Sequence, residues 1–160
     1  MNSWSVVALA LLLTLGTGCD RDPGTAKSIT TLSGPDIIRT QDPAQLVRGE
    51  QLFHQHCLRC HGERAQGAAN WRQVDAEGKY PPPPLDGSGH AWHHTRQTLR
   101  DMIRSGSPLD AAGRPQGNMP AWQGTLSAAE IDDVIAWFQS LWPDEIYAAW
   151  YERVEGGGLN

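Results

Sequence analysis

Little in this chain suits it to a polyanion or to crossing a bilayer. Only 13 of 160 residues are Lys or Arg against 18 Asp or Glu, for a formal charge of −5, and no basic cluster forms the face that nucleic acid requires. Nucleic acid is therefore excluded as a partner. Apolar runs are short as well. The one near the start, residues 6–15, is too brief for a stable membrane anchor, and no later stretch is longer or more apolar. No run alternates apolar and polar residues long enough to argue for a sheet. Cysteine is scarce, with three in all, at Cys19, Cys57 and Cys60, so each calls for its own account.

Residues Val6 to Leu15 read as the apolar core of an export signal, although Met1-Asn2-Ser3-Trp4-Ser5 before them has no Lys or Arg. Leu15-Gly16-Thr17-Gly18-Cys19 resembles the lipobox of bacterial lipoproteins, with the large apolar residue one place further from the cysteine than usual. That resemblance implies cleavage after residue 18, a lipid on Cys19, and retention at the periplasmic side of the inner membrane through Asp20. An ordinary secretory signal cut nearby is the alternative. Residues 19–41, with Pro23-Gly24-Thr25 and Ser33-Gly34-Pro35, have no amphipathic period and read as a flexible tether. About a hundred residues remain, enough for one compact domain at 42–142, followed by an extension at 143–160. In that extension Ile146, Tyr147, Trp150 and Tyr151 fall at helical spacing, either as a docked helix or as a surface for a partner.

The most specific signal is Cys57-Leu58-Arg59-Cys60-His61, a C-x-x-C-H run that attaches c-type haem. Two thiols at this spacing reach both vinyl groups of one porphyrin to form thioethers, and the adjacent His61 is carried beneath the ring as a ligand to iron. One covalent haem c and one axial ligand follow from five residues. A thioredoxin-like dithiol would sit at a helix start after a strand, where its thiol pKa is lowered; here the pair ends a helical segment. Zinc would need two further ligands, and although His61, His90, His93 and His94 offer nitrogen, no second zinc-finger spacing is present.

Helices are legible from caps and stripes. Asp42 and Pro43 mark the start of a helix running to about His56, with Leu46, Gly49, Leu52 and Phe53 on one side. Gly49 carries a propensity penalty that close approach of another helix would explain. A second helix spans about Thr95 to Ser105, with Leu99, Met102 and Ile103 inward and Gly106 as its C-terminal cap. Ser127 and Glu130 form a capping box ahead of Ile131, Val134, Ile135, Phe138 and Leu141, and Trp142-Pro143 ends that helix. Residues from Trp71 to Pro84 read as a proline-stiffened loop over one face of the cofactor. The acidic run from Glu130 to Glu155, answered in sequence by Arg153 alone, reads as a solvated face or as a steering surface for a basic redox partner.

Over residues 42–142 the chain resembles class I cytochromes c, an all-α fold of three to five helices around one haem. The resemblance implies that the terminal helices cross at Gly49, Phe53 and Trp137. It also implies that Pro83-Pro84-Leu85-Asp86-Gly87 is the loop on the His side, with the Pro83 carbonyl accepting the His61 Nδ1 proton and Leu85 packing on the ring. Met119, within Asn118-Met119-Pro120, matches the family's second axial ligand; Met1 leaves with the signal and Met102 lies on a helix. Trp92 is a candidate donor to a haem propionate, as is one of His90, His93 and His94. These histidines also leave open a bis-His haem or a second metal site, copper or zinc.

A His/Met haem has no open coordination site, which predicts a single-electron carrier between membrane or periplasmic redox partners. Two other classes remain. A haem enzyme or gas sensor would have a vacant sixth position, and a metal-binding module would use the extra histidines.

Overall fold

The computed structural model describes residues 26–29, 37–40 and 42–156. The export signal and Cys19 lie outside these. The fold is helical, built from α1 (Pro43–His56), α2 (Leu58–His61), α3 (Arg96–Ser105), α4 (Ala128–Ser140) and α5 (Asp144–Trp150), with a 3-10 turn at Ala91–His93 and a wider turn at Tyr151–Glu155. Among the described residues no helix is long and apolar enough to cross a membrane.

α1 and α4 start where their sequence signals place them, and a threonine caps α3. Asp42 accepts the Ala44 N–H at 2.9 Å and Pro43 opens α1. Thr95 accepts the Thr98 N–H at 3.1 Å to start α3. Ser127 and Glu130 satisfy each other's orphan amides reciprocally at the start of α4. Ser127→Ala is expected to lower stability by about 1 kcal/mol, read as a fall in the thermal unfolding midpoint of the haem-loaded protein.

The core forms where α1 and α4 cross. Gly49 faces the α4 backbone so closely that a Cβ there would overlap the Asp133 carbonyl and sit 2.8 Å from Trp137 Cβ. The Phe53 ring packs on Trp137 with centroids 4.5 Å apart, and Arg48 Nε donates to Asp133 Oδ2 at 2.9 Å beside the crossing. Leu99 and Ile103 of α3 close the other side of α4, and Arg100 bonds Asp132 at 2.5 Å. Of the seven acids in the late acidic run, Asp132, Asp133 and Asp144 pair with an arginine, each from a different element.

The sequence predicts a tether without regular structure over 19–41, and here the structure differs. Strands β1 (Ala26–Ile29) and β2 (Ile37–Thr40) pair antiparallel, Ala26 opposite Thr40 and Ile29 opposite Ile37. Four residues per strand are too few for a periodic signal. Arg39 carries β2 onto the helices: it is 3% exposed and donates to the carbonyls of Gln139 and Trp142 at the end of α4. Asp144 accepts from it at 3.4 Å, and its guanidinium lies 4.4 Å from the centroid of the Tyr147 ring. A cation at a helix C-terminus meets carbonyls that the helix leaves unpaired.

Candidate haem site

The motif cysteines sit at a joint between helices. The Cys57 N–H donates to Phe53 O at 2.7 Å to finish α1, and its carbonyl accepts from His61 N at 2.9 Å to form the single turn of α2. That turn carries Cys57, Cys60 and His61 to the wall of one cavity of about 540 Å³. Burial, helped by Cys60, pushes the Cys57 thiol up to about 11, the opposite of what a redox-active dithiol requires.

His61 is buried and oriented by a loop with few amides to spend. Prolines 81–84 have no N–H, so they contribute only carbonyls. Pro82 O accepts from Ala68 N at 2.9 Å, and Leu85 N donates to Ala65 O at 2.7 Å, fastening the segment on both sides of Pro83. The Pro83 carbonyl remains for His61 Nδ1, at 3.0 Å. Burial lowers the His61 pKa against the opposing effect of that hydrogen bond, so the ring is neutral and Nε2 keeps its lone pair. Leu85 lines the same cavity.

Met119 reaches the cavity from the loop between α3 and α4. Ser107 pins its backbone twice: the Met119 N–H donates to Ser107 Oγ at 2.9 Å and the Met119 carbonyl accepts from Ser107 N at 3.0 Å. Gly106, at φ 83°, lets this loop close in, since a Cβ there would stand 2.8 Å from Met119 O. Leu99, Ile103, Val134 and Phe138 line the rest of the wall, which exposes far more apolar than polar surface.

Trp92 departs from its expected role. It is not among the residues lining the cavity; its indole N–H donates to Gly89 O at 3.1 Å and its ring stacks on His93 at 3.8 Å. The short turn Ala91–His93 brings its N–H back to the preceding carbonyl, a local contact that competes with any longer reach. His90 and His94 do line the cavity, whereas His93 does not. Among the described residues no three His, Cys, Asp or Glu side chains gather as a metal-holding group. Trp71, Arg72 and Tyr80 also line the cavity and were not distinguished by sequence reasoning, since an irregular loop has no period to show which side chains turn inward.

Two thiols, a neutral imidazole and a thioether around one apolar cavity fit a covalently held haem: the thiols match its vinyl groups and the apolar wall its macrocycle. A helical fold with terminal helices crossed over such a cavity defines a monohaem c-type cytochrome, an electron-transfer haem protein. The family model described as cytochrome c oxidase, cbb3-type, subunit III matches residues 44–138, and the chain belongs to that family. It is 27% identical over 103 residues to the cbb3-type cytochrome c oxidase subunit CcoP of Azospirillum sp. (strain B510), covering 64% of this chain and 31% of that protein. The CcoP of Azospirillum brasilense is 30% identical over 104 residues, covering 64% and 30%. The chain thus matches about a third of the length of these relatives. Cytochrome cL of Methylophaga aminisulfidivorans MPT shows a loose likeness, with TM-score 0.40 and 23% identity over 64% of this chain and 56% of that one.

Proposed function

We propose that the chain is a single-electron carrier whose haem c is joined through Cys57 and Cys60 and ligated by His61 and Met119. The observation that carries this is the convergence of those four side chains on one apolar cavity. When bound, the haem supplies reversible one-electron exchange at iron. The residues do the rest. Pro83 holds the His61 tautomer, Ser107 holds the Met119 backbone, and Leu85 with Phe138 keeps water from the cofactor. With His61 and Met119 both bound to the iron, no coordination site would be open to oxygen or peroxide, which supports reading the protein as a carrier.

Its partners are proposed to be redox proteins at the periplasmic face of a bacterial inner membrane, with Cys19 as the lipid anchor. The lipobox-like segment and the relatives' naming as oxidase subunits support this reading. A cytochrome c oxidase system is the proposed setting, the chain serving alone or as a subunit. Cys19→Ser is the direct test of the anchor: the variant should leave the membrane fraction on cell fractionation.

The ligation is tested by the near-infrared spectrum of the oxidised haem-loaded protein. A weak charge-transfer band from Met sulfur on ferric iron is expected, and Met119→Ala should abolish it. A low-spin spectrum lacking the band would move the sixth ligand to His90 or His94. A high-spin spectrum that binds carbon monoxide on reduction would favour an enzyme or sensor.

A further inference from the structure

His61 and Met119 stand on different stretches of chain, and one short segment touches both. Tyr80 to Pro83 line the cavity in unbroken order, and so do Gln116 to Met119. At one end the segment serves His61, through the Pro83 carbonyl at 3.0 Å. At the other end it meets the Met119 loop. The Tyr80 N–H donates to Gln116 O at 2.8 Å, and Tyr80 bridges Gly117 in parallel register. A Cβ on Gly117 would stand 3.3 Å from Tyr80 O and 3.0 Å from Ser107 Oγ, so the missing side chain is what lets these strands close up. The Lys79 ammonium adds a bond to Asn118 Oδ1 at 2.6 Å, one residue from Met119. Lys79 is itself held, its N–H donating to Asp75 Oδ1 and its carbonyl accepting from the Asp75 N–H, both at 2.8 Å.

Between the two ends lie only prolines. Proline fixes φ, and a residue before proline is pushed toward extended backbone. Tyr80 to Pro83 is therefore a stiff rod, about 9 Å long at the rise of a polyproline helix. Its His end cannot slide: Pro82 O accepts the Ala68 N–H at 2.9 Å, and Gly67 lies so close that a Cβ there would overlap Pro84 N.

The Met119 loop needs such a support. Its bonds to Ser107 join residues 12 apart within the loop itself, so they shape the loop without tying it to another part of the wall. Past Met119, the Trp122 and Gln123 amides donate to Ile103 O and Arg104 O of α3. Ahead of Met119, the ties run to Tyr80 and Lys79. A neutral thioether has no charge to hold it on a metal, and its residence there depends on how firmly the surrounding shell presents it.

Building on the reading above that His61 and Met119 ligate the iron, we propose that Tyr80–Pro83 is a strut fixing the spacing of the two ligand loops, and that Lys79 and Tyr80 are positioning residues for Met119. Through Gln116 and Asn118 they set how often the sulfur leaves the iron. The spacing of the two ligands is thus held from outside the haem, by one rigid segment.

The test is the rate at which imidazole in large excess replaces the Met119 sulfur in the oxidised, haem-loaded protein, read as bleaching of the Met–iron band. With imidazole saturating, that rate is the rate of sulfur release. Tyr80→Pro removes the amide donor and keeps the rod; Pro81→Gly with Pro82→Gly keeps every carbonyl and removes the stiffness. Each should raise the saturating rate at least about fivefold, the factor that one net hydrogen bond is worth. Lys79→Leu should raise it less, since its bond is exposed. Tyr80→Pro joined to the glycine pair should give less than the product of the separate effects, because a rod already detached transmits nothing. Ser127→Ala is the control for general loss of stability: its bonds are to Glu130, in neither ligand loop, and the rate should stay at the wild-type value. Rates unchanged from wild type in both strut variants, or an equal rise in Ser127→Ala, overturn the proposal. Should Tyr80→Pro fail to load haem, the glycine pair decides alone. A wild type without the Met–iron band, seen before any rate is measured, marks failure of the ligation reading, and the strut then has no sulfur to hold.

Discussion

Cys57→Ser combined with Cys60→Ser is expected to abolish covalent haem and, with it, the folded state. The first effect is all or none: without thiols no thioether forms, and haem staining of a denaturing gel should vanish. The second follows from the cavity. Emptying a far smaller cavity in a packed core already costs about 3–5 kcal/mol, and a space of about 540 Å³ left unfilled removes a large part of a domain's stability of about 5–15 kcal/mol. Water entering through the open side reduces that loss, yet a wall of Leu99, Ile103, Val134 and Phe138 gains little from being wetted. The double variant should therefore lose its cooperative thermal transition in circular dichroism and bind an apolar dye. A sharp transition within a few degrees of the haem-loaded protein would show that the helices hold the cavity open unaided.

Gly49→Ala is expected to destabilise the protein by about 2 kcal/mol or more, although the same change in an exposed helix would stabilise it by about 1 kcal/mol. The sign is decided by what the new methyl group meets. The Asp133 carbonyl belongs to the backbone of a capped helix and cannot turn aside, and Trp137 Cβ at 2.8 Å is equally fixed. Relief requires α1 and α4 to separate, which also loosens Phe53 from Trp137 and Arg48 from Asp133. Chemical denaturation of the haem-loaded variant measures the difference. A gain in stability would show that the helices cross elsewhere.

Local chemistry was legible and long-range chemistry was not. Asp42 and Ser127 announced their helices because a cap is a contact between residues two or three apart. The C-x-x-C-H motif and the proline loop were legible for the same reason, each being a continuous segment. Gly49 was readable as a site of close approach because glycine inside a helix has little other use. Arg39 was not, since its partners lie about a hundred positions away and nothing around it sets it apart from other arginines. Trp92 misled: an indole beside histidines suggested a donor to the cofactor, but the turn folds it back on Gly89. The arginines that meet Asp132, Asp133 and Asp144 were likewise hidden, because adjacency along the chain says nothing of what approaches it in space.

The crossing of α1 over α4 joins residues 85 positions apart, Arg48 to Asp133, and this gives the protein a calendar. A chain made from its N-terminus presents Cys57 and Cys60 well before Val134 and Phe138 have been added, so at first the thiols stand beside only part of the wall. Trp150, which braces His94, comes later still. The wall around the thiols is therefore complete only once α4 has packed against α1.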